Sequence, residues 1–448
     1  DNATVRPFAM DTRGCFTLRR IQIGENSCVC AKSIIAGGAI LPASTCVAPL
    51  SSSHELCDAR PENRMQCRPL RALPPLWLKI TCGWPILLVQ RALTLSPVLL
   101  LMVHMATMDW YVGSFTNIQE GVEYIATPER MGYLFGFIIL HRTVCPCLAL
   151  AYAILVKRCI IGTFKPTPKD EEPNVSSWQV FRPWLMGRLI PDPHLCGVSK
   201  LLGRHYDAIS ALYRLLGVKV GKYVYWPGSG FNFTEPDLVE VGDYVVFGSR
   251  SLILTSNAHH RRQVVTLEAG SNVSDRCVVL PGTRVKTGAV LGSGALTKEG
   301  ATYEPGTYVG SRGNECVQLK KAGAGASEPK ETSYARAFGR RREASYTVLP
   351  EWFHIAWSTA SICWACIVTK LPLVSGLMLA HLCFSDDWQA YSVASTLLVP
   401  SALIVLAYPA VLSLVLCMDI GSKWVLIGRR KPGSYAWDSS SYCQRWQL

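Results

Sequence analysis

The chain has 448 residues, room for two or three domains, and 49% of them are hydrophobic while only 17% are charged. That balance is too apolar for an ordinary soluble protein of this size and puts part of the chain in lipid. The formal net charge of +13 raises the question of nucleic acid, but the bases stand beside apolar blocks: Arg64, Arg68 and Arg71; Lys157 and Arg158; Arg340, Arg341 and Arg342; Lys423, Arg429, Arg430 and Lys431. Such flanks mark the cytosolic ends of membrane segments, so membrane lipid is an expected partner and nucleic acid is not.

Residues 1–58 form the first element. Ile23, Val29, Ile35, Leu41 and Val47 recur every six positions, and four places after each stands a small residue: Ser27, Ser33, Ala39, Thr45 and Ser51. Neither a helix nor an ordinary strand has a period of six. A parallel β-helix does, because each flat face sends one large residue inward and needs a small one beside the corner, where bulk would strike the neighbouring coil. Residues 1–58 are therefore predicted to be part of a β-helix of the hexapeptide-repeat kind.

Residues 73–161 follow as membrane helices, with apolar blocks at Leu73 to Met108 and Met131 to Ile161. Each is near or above the roughly 20 residues a crossing needs. Between them, Asp109 to Arg130 holds four acids and one arginine and is expected to face away from the cytosol. Pro85, Gln90-Arg91 and Pro97 interrupt the first block and allow an interfacial helix plus one crossing. Residues 175–217 are a linker ending in an amphipathic helix at Asp207 to Leu216.

Residues 218–318 repeat the six-residue pattern. Leu267, Val273, Val279, Val285 and Leu291 are each followed four later by Ser271, Cys277, Thr283, Ala289 and Ala295, and Val241 and Phe247 are again six apart. Gly270, Pro281-Gly282, Gly288 and Gly292-Ser293-Gly294 suit the corners. The stretch Thr255 to Val264 breaks the period as a longer loop. A flexible basic linker, 319–346, leads to a second helix pair, 347–427, with blocks Trp352 to Phe384 and Tyr391 to Ile427 joined by an acidic connector at Ser385 to Ala390. Both connectors then face outward, which leaves the β-helices together on the cytosolic side of a multi-pass membrane protein.

Two offsets relate the halves. At 244, Gly38 falls on Gly282 and Ile34-Ile35 on Val278-Val279; at 266, Lys157-Arg-Cys-Ile-Ile-Gly162 with Lys165-Pro166 falls on Lys423-Trp-Val-Leu-Ile-Gly428 with Lys431-Pro432. The chain reads as β-helix domains in tandem, alternating with transmembrane helices, with 428–448 as the start of a third unit. It begins with Asp1 and is expected to be a piece of something longer. The 18 cysteines lack paired spacing and are read as reduced; Cys363 and Cys366 have redox-motif spacing but sit inside an apolar block, where helix packing is the expected role.

For chemistry, the loop carries His259 and His260, and the other histidine of the β-helical regions is His54 near the end of the first. One of the two loop histidines is the candidate general base, His259 being favoured for its place after Asn257-Ala258. The competing view is a solvated basic loop running into Arg261-Arg262. A zinc site on such a coil needs three histidines, and 261–349 holds none, so no metal is expected. His104, His141, His354 and His381 lie in or beside membrane blocks and are read as helix-packing residues. The sequons at Asn2, Asn174, Asn232 and Asn272 all fall in segments placed in the cytosol.

Leu212-Tyr-Arg-Leu-Leu-Gly-Val-Lys-Val-Gly221, Glu235-Pro-Asp-Leu-Val239 with Val241-Gly242-Asp243, Val279-Leu-Pro-Gly282, and Lys423-Trp-Val-Leu-Ile-Gly428 with Lys431-Pro432-Gly433 resemble the C-terminal membrane region of poly-lysine-synthetase-type nonribosomal peptide synthetases. The resemblance covers nearly the whole chain. It implies left-handed coils, packing of the tandem β-helices as a pseudo-trimer, and acyl or aminoacyl transfer to an amine. It also implies a phosphopantetheine or coenzyme A thioester as donor, no tightly bound cofactor, and carrier-protein and adenylation domains upstream in the same longer chain as partners. The condensation-domain motif, two histidines then three residues and Asp-Gly, fails here, because His259-His260 is followed by Arg261-Arg262-Gln263 and then Val264-Val265. The alternative function is a non-catalytic membrane scaffold or docking module for a synthetase or exporter, favoured by the first copy, where offset 244 puts Cys15 and Phe16 in place of the histidines.

Overall fold

The computed structural model describes residues 3–10, 16–25, 27–30, 32–47, 49–53, 73–107, 118–168, 176–190, 192–202, 207–226, 233–257, 260–310, 315–321, 351–384, 392–426, 428–429 and 432. The connector 385–390, the basic linker from 322 to 346 and nearly all of the expected third unit lie outside them. The chain divides into two compact units, one of residues 1–87, 153–199 and 204–335, the other of 88–152, 200–203 and 336–448.

The first unit holds the strands. In residues 219–309 the chain visits three sheets in rotation. One sheet takes Lys219–Val220, Val239–Val241, Val265–Leu267, Arg284–Val285 and Thr302–Tyr303; the second takes Val246–Phe247, Asn272–Val273, Ala289–Leu291 and Gly306–Val309; the third takes Leu252–Ile253 and Val278–Val279. All these pairings are parallel, and Thr266 faces Arg284, Asn272 faces Val290 and Arg284 faces Thr302, each 18 residues on. Eighteen is three periods of six, so each turn of chain lays one strand on each sheet. Earlier, Val239 faces Val265, 26 residues on, and the extra eight belong to the Thr255 to Val264 loop. A final strand, Val317–Lys321, turns back antiparallel on Gly306–Val309, which the period did not anticipate.

The inward ladder is the one expected. Val241, Phe247, Leu267, Val273, Val279, Val285 and Leu291 are buried, as are the small residues Ser271, Cys277, Thr283, Ala289 and Ala295 beside them. In the first set, Gln22–Ile23 pairs with Ile40–Leu41 and Cys28–Val29 with Cys46–Val47, again 18 residues on and parallel. Ile35, Leu41 and Val47 form its core, with Ile21, Val29 and Ala39 packed on them. Ile23 departs from expectation: it is 47% exposed, because among the described residues its strand is paired on one side only and no further coil covers it.

The corners carry the geometry. Gly270, Arg276, Gly282, Gly288, Gly294 and Gly300, six apart, all have positive φ, as do Lys32, Gly38, Ser44 and Leu50 in the first set. Successive corners stack through backbone bonds, with Gly270 N donating to Asp243 O at 2.8 Å and Gly294 N to Asp275 O at 2.9 Å. Left-handed backbone costs a residue with a Cβ roughly 1–2 kcal/mol, and glycine holds five of the six corners from 270 to 300.

The helices in chain order are α1 (Leu76–Thr107), α2 (Ile118–Ala126), α3 (Pro128–Val156, continued by a wider turn, Lys157–Ile161), α4 (Ser177–Leu189), α5 (Asp192–Leu202), α6 (Asp207–Leu216), α7 (Glu351–Phe384) and α8 (Val393–Leu426). Four runs, Leu76–Thr107, Arg130–Ile161, Ile355–Phe384 and Val393–Val425, are long and apolar enough to cross a membrane. The first passes through a wider turn at Lys79–Gly83 and then holds Pro97 inside the helix. Gln90, buried in that helix, donates from Nε2 to Ala149 O of α3 at 3.1 Å, a polar group satisfied between helices as lipid requires. In the second unit α7 and α8 touch where Gly376 faces Ile404, since a Cβ on the glycine would stand 2.4 Å from Ile404 Cγ1. Cys363 and Cys366 are free thiols on α7.

Two outcomes test this architecture. Val285→Asp puts an unpaired carboxylate into the coil interior and should abolish the cooperative thermal transition of the strand unit in detergent, whereas Arg284→Gln on the outward side should not. Burial pushes the Cys277 thiol up to about 11, so at pH 8 its reactive thiolate is scarce. Peptide mass mapping after maleimide treatment should find Cys277 unmodified in the native chain and modified after denaturation.

Candidate functional site

The loop at the broken period is a hairpin. Gln263 N donates to Thr255 O at 2.9 Å, Ser256 and Arg262 form an antiparallel bridge, and Asn257 N donates to Arg261 O at 3.2 Å. The tip is closed by His260 N donating to Asn257 O at 3.1 Å, with His260 at φ +58°. A three-residue tip ending in a left-handed position is a common hairpin form, and glycine is its usual last residue. Here that residue is histidine. Asn257 also holds the tip from the side, its Oδ1 accepting from Arg261 N at 3.0 Å and its Nδ2 donating to Glu299 Oε2 at 3.3 Å on a later coil. His260 is half-buried; His259 lies outside the described residues.

The hairpin is fixed at its base by an ion pair that the sequence did not disclose. Arg262 Nε donates to Glu235 Oε1 at 2.6 Å, and Thr255 Oγ1 donates to the other oxygen, Oε2, at 2.9 Å. Glu235 is 1% exposed, so the carboxylate is desolvated and both oxygens are used. Arg262 Nη2 also donates to Gln179 O of α4 at 2.7 Å, and its backbone pairs with Thr167, which donates to Arg262 O at 2.9 Å. The expectation of a solvated run at Arg261-Arg262 is therefore wrong for Arg262, because the chain leaving α3 folds across it. The signal was present: Glu235 and Asp237 flank a proline in an apolar stretch with no base between Lys222 and Arg250, so both acids needed distant partners.

Asp237 finds its partner in Lys157, whose Nζ donates to Oδ2 at 2.8 Å and to Gly162 O at 2.6 Å; Phe164 N donates to the same carboxylate oxygen at 2.8 Å. Lys157, Arg182 and Arg262 surround the Phe164 ring, with the Arg182 guanidinium 4.5 Å from its centroid. Burial, and next the neighbouring Arg262, lower the Arg182 pKa from its ordinary value. Thus the end of α3, the segment Thr163 to Thr167, α4 and the hairpin base form one charged knot within the first unit.

The first strand set throws out a hairpin at the matching corner. Thr4 faces Ile34 and Leu252 faces Val278, and Ile34 and Val278 are 244 apart. After Thr4–Val5 the chain makes the antiparallel pair Phe8–Met10 and Phe16–Leu18. Phe16, the counterpart of His260, pairs there with Met10, and Cys15 lies outside the described residues. Among the described residues no three of His, Cys, Asp or Glu converge as metal ligands would. His54 lies outside the described residues; His104, His141 and His381 sit on the long apolar helices, as does the backbone of His354.

By its four apolar helices the chain is a multi-pass membrane protein. No protein-family model matches it, and no curated protein matches it in sequence. Among solved structures it is similar to serine acetyltransferase isoform 3 from Entamoeba histolytica, in complex with cysteine, at 11% identity and a TM-score of 0.20, over 52% of this chain and 96% of that one. A likeness at that score bears on neither activity nor substrate.

The ion pair sets a test. Arg262→Ala strands the Glu235 carboxylate and should lower stability by about 3–5 kcal/mol, whereas the double change Arg262→Met with Glu235→Gln should recover most of that loss. Chemical denaturation of the detergent-solubilised chain measures both; equal losses would mean that the pair is not what holds the hairpin.

Proposed function

We propose that this chain is a membrane-bound acyl or aminoacyl transferase module, in which tandem left-handed hexapeptide β-helices carry the reaction and transmembrane helices hold them at the cytosolic face. One observation supports the reading most: among the described residues the largest departure of the three-sheet coil from its 18-residue spacing is a pinned hairpin that presents His260 from a left-handed backbone position. Left-handed backbone at a hairpin tip where glycine is usual points toward function of the side chain that stands there. His259, its neighbour in sequence, is the other candidate.

In this mechanism a loop imidazole takes the proton from the attacking amine as its nitrogen bonds to the thioester carbonyl. The tetrahedral oxyanion then collapses, the thiolate leaves and is protonated by the imidazolium, and the products are an amide and a thiol. The donor is a thioester of phosphopantetheine or coenzyme A. Carrier-protein and adenylation domains of a longer synthetase would supply it, and the β-helices would pack as a pseudo-trimer completed by the unit that begins at 428. A scaffold function is favoured by one observation, that the hairpin of the first set carries Phe16 where the second carries His260.

Replacing the base should lower transfer by about 10² to 10⁴ fold. His260→Gly is the sharper variant, because glycine relieves the left-handed position while removing the imidazole. Transfer from a loaded carrier to an amine in nanodiscs should fall with His260→Gly or His259→Ala while the thermal transition is retained. If the double variant transfers at the parental rate, the scaffold function replaces the enzyme. Sidedness is tested separately, with single cysteines at positions 120 and 275 in a background without other cysteines. Impermeant maleimide on intact cells should label 120 alone.

A further inference from the structure

Three corners of the coils carry cations where the fold would accept glycine, and the lysine among them reaches the backbone of one arginine and lies near the charge of the other. Arg250 at φ +60° and Arg276 at φ +59° occupy one corner column, with Arg276 N donating to Ser249 O at 3.0 Å. The next corner of that column is Gly294 at φ +74°. Lys32, at φ +57°, is the counterpart of Arg276 in the first strand set at offset 244, and its Nζ donates to the carbonyl oxygen of Arg250. Two matching corners of the two strand sets thus face each other across a seam within the first unit. Both arginines are exposed and Lys32 is half-buried.

Elsewhere on the coil three cations are neutralised: Lys219 pairs with Glu240, Arg284 with Glu268 and Lys286 with Glu304. Among the described residues no acid forms an ion pair with Lys32, Arg250 or Arg276. Asp275 stands next to Arg276 in the chain, but its Oδ1 is engaged by Ser249 N. Burial lowers the Lys32 pKa from its ordinary value, with Cys277 opposing the shift and Arg276 adding to it. The cluster therefore combines backbone strain at three positions with uncompensated like charge. Both are unfavourable for folding alone; an anion relieves the charge repulsion, whereas the backbone would be eased by glycine.

We propose that Lys32, Arg250 and Arg276 form a binding site for a phosphate ester at the seam between the two strand sets. Guanidinium groups suit phosphate because each can donate two parallel hydrogen bonds to adjacent oxygens. The site does not depend on transfer at the hairpin, and it would bind phosphate in a scaffold as well as in an enzyme. The phosphate belongs either to a soluble thioester donor or to a lipid headgroup, and the two sources are separable by experiment.

Because glycine is native to this column, Arg250→Gly with Arg276→Gly removes both guanidiniums while easing the backbone. The full chain in phosphatidylcholine nanodiscs is titrated with pyrophosphate and with coenzyme A, and a second set of discs contains phosphatidylglycerol. The parent should gain thermal stability with at least one of these. A response to pyrophosphate or coenzyme A assigns the soluble source, and a response to phosphatidylglycerol alone assigns the lipid. The double glycine variant and Lys32→Ala should bind at least about tenfold more weakly, and the ligand-free glycine variant should unfold no lower than the parent. The proposal is overturned if no phosphate stabilises the parent, if the variants respond as the parent does, or if the glycine variant unfolds at a lower temperature, which would make the arginines structural.

Discussion

Every sixth residue of the coil must turn a corner through left-handed backbone, and the remainder of the strand unit follows from that requirement. The turn fixes which residue points inward two or three places later, and it demands a small neighbour so that successive coils can close to hydrogen-bonding distance. Gly242 and Gly248 show the close approach, since a Cβ there would stand 2.5 Å from Ala269 N and 2.4 Å from Asp275 N, backbone atoms of the following coil. Other side chains also take the left-handed backbone, as at Ser44, Leu50 and Tyr244, so what sets Arg250, Arg276 and Lys32 apart is their charge.

A second constraint ties the coil to the helix that reaches it. Glu235 and Asp237 are each paired with a distant base, Arg262 coming from the hairpin and Lys157 from the end of α3. Buried pairs of this kind add little net stability compared with apolar packing, yet breaking one is costly, so they act chiefly to specify position. The consequence for function is that the histidine-bearing tip is mounted on a fixed base. A loop held this way can keep a catalytic group in register.

The exit from α3 has a partial echo further along. Gly162 N donates to Lys157 O at 2.9 Å with Gly162 at φ +69°, and Gly428 N donates to Lys423 O at 3.1 Å with the same φ. The sequence match at offset 266 therefore has a backbone match. Lys157 is buried against Asp237, whereas Lys423 is exposed beside the Trp424 ring.

The period of six determined, from the sequence alone, which residues of 267–295 are buried and which glycines take the corners, because a solenoid repeats one local rule and local rules are legible in one dimension. Apolar block length likewise determined the four long helices. Tertiary structure decided what depends on residues far apart in the chain. Arg262 looked solvated until Glu235, 27 positions away, was placed against it. Ile23 matched the inward pattern but is exposed, since burial needs a neighbouring coil as well as a phase. The convergence of Lys32 with Arg250, 218 residues apart, is invisible to any pattern, because no sequence period encodes which corners of two separate coils come face to face.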